Sequence, residues 1–284
     1  MEQNDKNLVK ILILLSLSAL LLVCAVLEGY ANSLTGYVIA FFAAVLAGCI
    51  VTAFTICTAH LIGLILFGFV IGFLTQAVGV TSDLWCYDHH AYIFAALSWA
   101  LAAVTMEGIS NIIRYKLKSL TDHPLNVLMI LALLGTLLVT LALNDQWMER
   151  QGSVIQWPCF VHQKMPEEGS ESIKSKLEPN APFWIYYISL AGFAILMQAR
   201  VPFTELLSLI LAAWIMGGIS EWLGATAKLW HFRTAVFPPL FLVLGCWPLE
   251  FLVIRGLAIR MKGSATILTC TPKTRPWDEW DELE

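Results

Sequence analysis

Two carboxylates fall deep in apolar sequence, and their position gives them chemistry to do. Glu250 lies 14 residues into the apolar stretch 236–258, which is about 21 Å along a helix that rises 1.5 Å per residue. That depth is inside a hydrocarbon core of about 30 Å. Glu107 lies 16 residues into the stretch 91–109, near its far end. An ionised, unpaired carboxylate at such depth costs several kcal/mol, so each should face other helices and either pair with a cation or keep its proton. Paired with Arg255 or Arg200, Glu250 would be a structural link between helices. Keeping its proton, it would be a general acid able to protonate an apolar substrate. The sequence leaves both readings open.

Gln76 and Glu221 each stand about one helical turn before a glycine, Gly79 and Gly224, and each is followed by an aromatic pair, Trp85 with Tyr87 and Trp230 with Phe232. Such aromatics commonly form a belt at the membrane surface. The alternative is a pocket lid, in which Gln76, Glu221, Trp85, Trp230, Phe232 and Trp247 would contact a ligand. Asp88, His89, His90 and His231 suggest a metal, but adjacent histidines point different ways and no spaced set supports them. No metal and no cofactor is expected, since no Gly-rich phosphate loop, nucleophile elbow or haem motif is present. A net charge of −4 with no basic stripe gives nucleic acid nothing to bind.

The elements that carry these residues follow from composition. Of 284 residues 58% are hydrophobic and 13% charged, with a mean hydropathy of +0.72, whereas a soluble domain carries about 25% charged residues. The expected fold is an all-α polytopic transmembrane helix bundle. Eight stretches are long enough to span: 8–27, 36–58, 61–80, 91–109, 124–143, 183–199, 203–222 and 236–258. Ala59 and His60 alone divide the second from the third, as a tight turn. The first resembles a signal peptide, but its run from Ile11 to Leu27 is long for one and reads as a retained helix.

With the N-terminus inside and eight crossings, 11 of the 17 Lys and Arg residues fall in inner segments and only Lys228 and Arg233 in short outer loops. Basic residues favour the cytoplasmic side, so both termini are expected there. Residues 144–182, rich in proline and charge, read as an extramembrane loop, and 259–284 as a cytoplasmic acidic tail. Either could contact membrane-protein partners. Four of the seven cysteines, Cys24, Cys49, Cys57 and Cys246, read as small apolar helix residues. Cys86 and Cys159 are the only two in outer loops and stand either free or bridged.

An internal repeat is visible. The segment from Gly72 to Gly79 resembles that from Gly217 to Gly224, and Leu84-Trp85-Cys86-Tyr87 resembles Leu229-Trp230-His231-Phe232, all 145 residues apart. Glu107 then aligns with Glu250 at a spacing of 143. This lays spans 1–4 (repeat 1, residues 1–123) over spans 5–8 (repeat 2, residues 124–258). Four spans is an even number, so the two copies run parallel, related by an axis along the membrane normal.

Trp230-His231-Phe232 followed by Trp247-Pro248-Leu249-Glu250-Phe251 resembles the lycopene cyclase domain of membrane-integral cyclases, which repeats a Trp-x-Phe loop and a Pro-Leu-Glu-Glu motif. Glu221, Gly224 and the following loop are also similar to bacterioruberin-type carotenoid hydratases. The similar segments are 72–108 and 217–251. The resemblance implies an isoprenoid or other apolar lipid ligand, with Glu250 and Glu107 as acids. Phe251 stands where the cyclase motif has its second acid, and Thr105-Met106-Glu107-Gly108 lacks the proline. The classes left open are an enzyme that cyclises or hydrates such a lipid and a non-catalytic subunit or assembly factor of a membrane complex, with a transporter as a third. The topology is checked by reporter fusions at the C-terminus: a fluorescent protein should be active there and a reporter that works only outside should be silent, whereas the reverse would overturn it.

Overall fold

The computed structural model describes residues 3–27, 36–82, 84–87, 92–117, 126–151, 181–199, 201–227, 229–232 and 240–264. They form eight α-helices: α1 (Gln3–Leu27), α2 (Gly36–Thr55), α3 (Thr58–Thr81), α4 (Tyr92–Lys116), α5 (Asn126–Gln151), α6 (Ala181–Gln198), α7 (Phe203–Thr226) and α8 (Trp247–Ser264). Two short strands, β1 (Trp85–Cys86) and β2 (His231–Phe232), follow α3 and α7. Seven helices are long and apolar enough to cross a membrane, and α6 offers a shorter apolar run, Pro182–Gln198. Large apolar side chains such as Leu12, Leu22, Ile185 and Leu196 stay exposed on the outer faces, where lipid is their natural solvent. The chain is an all-α integral membrane protein.

Lipid supplies little hydrophobic drive between helices, so small residues that let backbones approach matter most. Gly68 and Gly72 of the GxxxG in α3 lie against Ala100 and Trp99 of α4. Gly63 lies against Ala258 of α8. The expected divider at Ala59 and His60 is corrected: the break falls at Ile56 and Cys57, and both residues are buried in the first turn of α3. His60 belongs to the helix because its imidazole reaches Glu107. Similarly α5 continues to Gln151, past the expected start of the loop at 144. Cys57 is disulfide-bonded rather than one more small helix residue. The side chain of Cys86, and Cys159 altogether, lie outside the described residues.

The two copies of the repeat make the same contacts. Helices α3 and α7 begin and end 145 residues apart. At the start of the first copy Lys10 Nζ donates to Ala53 O at the end of α2, at 2.8 Å, and to Ile56 O. In the second, Asn126 Nδ2 donates to Gln198 O at 3.0 Å and to Val201 O, the carbonyls 145 residues on. Helix α2 packs on α4 as α6 packs on α8, and α3 packs on α8 as α7 packs on α4. β1 and β2 pair antiparallel, Trp85 opposite Phe232 and Cys86 opposite His231. Both strands leave the same end of the bundle, so α3 and α7 point the same way, as a parallel repeat requires.

The geometry corrects the register of the last helix. Gly72 and Gly217 are equivalent, and a Cβ on them would strike Trp99 and Trp247 respectively. Gly108 meets Thr52, and Gly256 meets Met197, again 145 residues beyond Thr52. Trp99 with Trp247 and Gly108 with Gly256 fix a spacing of 148 along α4 and α8. Glu107 is therefore the counterpart of Arg255, and Glu250 of Ala102. A two-fold axis runs down the centre, and three equivalent pairs meet on it: Cys86 with His231 in the strands, Trp99 stacked on Trp247 at 4.1 Å and 26°, and Glu107 bonded to Arg255 Nε at 2.9 Å.

Glu107 and Arg255 are 4% and 5% exposed, and leaving one charge buried alone costs about 3–5 kcal/mol. Arg255→Gln should markedly lower the thermal midpoint in detergent, and Arg255→Gln with Glu107→Gln should recover part of that loss. A double variant no better than the single one would contradict the pairing.

Candidate functional site

Between the two copies lies one cavity, lined from α2, α3, α4, α7, α8 and the strand pair. Water-sized spheres can place their centres in about 80 Å³ of it, several times the roughly 10–15 Å³ that one water needs. Rings dominate the lining: Phe41 and Phe42 of α2, Trp85 and Trp230 beside the strands, and the stacked Trp99 and Trp247. Polar groups are few, as in most small-molecule pockets.

The aromatics near the strands are anchored inward and do not form a belt. Trp85 Nε1 donates to Gln76 Oε1 at 2.9 Å, and the Tyr87 hydroxyl donates to the same oxygen. In the second copy Trp230 Nε1 donates to Glu221 Oε2 at 3.1 Å, and Trp247 Nε1 to Glu221 Oε1 at 2.7 Å. Leu84 and Leu229 close the same turn by donating to Gly79 O and Gly224 O, at 3.0 and 2.8 Å. Each turn folds its tryptophan over a glycine. A Cβ on Gly79 would fall within the Trp85 ring, and one on Gly224 within the Trp230 ring. The Tyr87 and Trp230 rings then meet edge to face across the strand pair.

Glu250 lines the cavity and is 0% exposed. Its Oε1 accepts from Thr75 Oγ1 at 2.8 Å and from the Tyr187 hydroxyl. The Tyr186 hydroxyl lies 3.0 Å from Thr75 Oγ1 and also donates to the Ile71 carbonyl at 3.3 Å. Oε2 of Glu250 is buried and has no hydrogen-bond partner among the described residues. A π-helical turn, Leu242–Cys246, precedes α8 and brings Cys246, Trp247 and Glu250 to the cavity. Trp214 Nε1 donates to the Leu244 carbonyl in that turn at 3.2 Å.

The acids thus sort into two sets. Arg255 pairs with Glu107 and with Glu205, and Arg114 pairs with Glu205 at 3.1 Å. His60 Nε2 lies 3.5 Å from Glu107. These residues form an ion-pair network at the end of the bundle away from the strands. Glu107 therefore does not share a site with Glu250, and Arg255 is not the partner of Glu250. Glu250 and Glu221 bond only to neutral donors among the described residues. The structure brings Gln76, Glu221, Trp85, Trp230, Trp247 and Glu250 to one cavity. The side chain of Phe232 lies outside the described residues, as do Asp88, His89, His90 and Arg200.

Sequence reasoning missed Thr75, Tyr186 and Tyr187. A signal existed in the repeat: Tyr186-Tyr187 stands 145 residues after Phe41-Phe42. Phe41 and Phe42 line the cavity, whereas their tyrosine counterparts stand behind the lining, Tyr187 bonded to Glu250 and Tyr186 to Thr75. No protein-family model matches the chain, and neither the curated proteins nor the solved structures include a match to it.

Glu221 accepts one indole N–H on each of its oxygens, and an amide has only one acceptor oxygen. Glu221→Gln should therefore lower the melting point, but by less than Glu221→Leu, which leaves both indole N–H groups unpaired at about 1–3 kcal/mol each. Equal stability of the two variants would contradict this role.

Proposed function

We propose that the protein is a membrane enzyme that holds an isoprenoid or similar apolar polyene in the cavity and protonates it from Glu250. The observation that carries the reading is the Glu250 carboxyl: it lines a cavity of aromatic rings, has no cationic partner among the described residues, and leaves Oε2 unbonded. With Oε1 occupied by two donors, Oε2 is the oxygen that holds the proton. In the reaction, the electron pair of a carbon–carbon double bond takes that proton, forming a C–H bond and a carbocation at the neighbouring carbon. The hydroxyls of Tyr187 and Thr75 stabilise the carboxylate left behind, and the rings face the cation with their negative surfaces. Ring closure with loss of a proton, or addition of water with loss of a proton, returns the acid to its starting state.

The resemblance to lycopene cyclase domains supports the same role for Glu250 and adds the substrate class. The second acid that their motif carries, absent at Phe251, has a cavity-lining candidate in Glu221. The basic bias of the loops supports an orientation with the ion-pair network and both termini toward the cytoplasm and the strand pair toward the outside. The segment between α5 and α6 and the acidic tail after α8 are the parts of the chain that this reading offers to partner proteins.

Mass spectrometry of lipids that copurify with the chain tests the reading. A polyene or isoprenoid enriched over bulk membrane lipid is expected, unchanged with Glu250→Gln and converted only by the parent chain. Bulk phospholipid alone, or equal conversion by both, would contradict it and favour a non-catalytic subunit.

A further inference from the structure

The cavity has a property that protonation of a polyene does not require in its resting state. Its walls are π-faces, and its two acids have no basic residue beside them among the described residues. Gln76 and Glu221 occupy equivalent places and hold equivalent tryptophans, Trp85 and Trp230. The carboxyl of Glu221 holds Trp247 with its second oxygen as well, and unlike the amide it has the capacity for negative charge.

Glu250 adds a second such group, wholly buried, with one oxygen free of protein partners. Elsewhere in the bundle buried charge is neutralised: Glu107 and Glu205 face Arg255 and Arg114. Around the cavity the described residues supply rings and no counter-charge. Rings attract cations by their quadrupoles, most strongly where water is excluded, and a carboxyl that gives up its proton when the cation binds attracts it by charge. Ring faces with two carboxyls, and no lysine or arginine among the described lining residues, match an organic ammonium ion, whose apolar shell suits the rings and whose charge suits the acids.

We infer that this cavity is a recognition site for lipophilic organic ammonium cations, held between the stacked Trp99–Trp247 wall and the carboxyls of Glu221 and Glu250. The inference shares its cavity with the proposed function but does not need turnover. If a polyene is converted there, the ammonium ion occupies the place of the transient carbocation. If none is, the cavity still binds the cation.

The test uses the full chain in nanodiscs of uncharged phosphatidylcholine, with benzyltrimethylammonium chloride as the probe and neopentylbenzene as its uncharged isostere. Binding is read by calorimetry with empty nanodiscs subtracted. The cation should bind at least tenfold more tightly than the isostere. Glu250→Gln should remove most of that preference and Glu221→Gln should reduce it severalfold. The thermal midpoint of each variant, read alongside, separates loss of the site from loss of the fold. Equal affinity for cation and isostere, or a preference unchanged in both variants, overturns the inference. A cation preference in a chain that converts no polyene leaves the inference standing and removes the proposed chemistry.

Discussion

A two-fold axis obliges every residue on it to face its own counterpart, and much of this bundle follows from how that is resolved. Identical charges at such a position would repel in a medium with little screening. The two copies carry opposite signs instead, Glu107 in one and Arg255 in the other, so the axis is closed by attraction. The neighbouring contact shows the same exchange. His60 meets Glu107 in the first copy, and at the equivalent positions Glu205 meets Arg255 in the second. About 12 Å along the helices, Trp99 and Trp247 face each other as like residues, because stacked rings attract rather than repel. The strand pair closes the axis at the far end by backbone bonds that need no particular side chain.

Away from the axis the copies are free to differ, and there the chemistry is concentrated. The wall made by Phe41, Phe42 and Ala102 is apolar. Its equivalents Tyr186, Tyr187 and Glu250 form a hydrogen-bonded group with Thr75. Of this group Thr75 and Glu250 reach the cavity, and the tyrosines hold them from behind. The tryptophans link this cavity to the axis, since Trp247 both stacks on Trp99 and donates to Glu221.

Much of the fold was legible because long apolar runs leave few alternatives to spanning helices, and the segments 72–87 and 217–232 carry distinctive letters in constant register. The register of α4 against α8 was not. Both helices are nearly uniform in apolar letters, so the glutamates at 107 and 250 drew the alignment to themselves. Contact geometry aligns Gly108 with Gly256 and Trp99 with Trp247 instead. The three extra residues of the second copy fall between Phe232 and Trp247, an interval that includes the π-helical turn Leu242–Cys246. Of the site, Gln76, Glu221, the tryptophans and Glu250 could be read from the repeat and the depth of the acid. The partners of Glu250 could not, since Tyr187 and Thr75 lie 63 and 175 residues away in sequence. Tyrosine within an apolar helix carries no local mark of its role.

The central claim is that the buried acids divide into a neutralised set at the axis and an unpaired set at the cavity. Dicyclohexylcarbodiimide, an apolar reagent that attacks carboxyls still holding a proton, separates the two directly. After exposure of the membrane-embedded chain and peptide mapping, the adduct should sit on Glu250, with none on Glu107. Modification of Glu107 with Glu250 untouched would contradict the account.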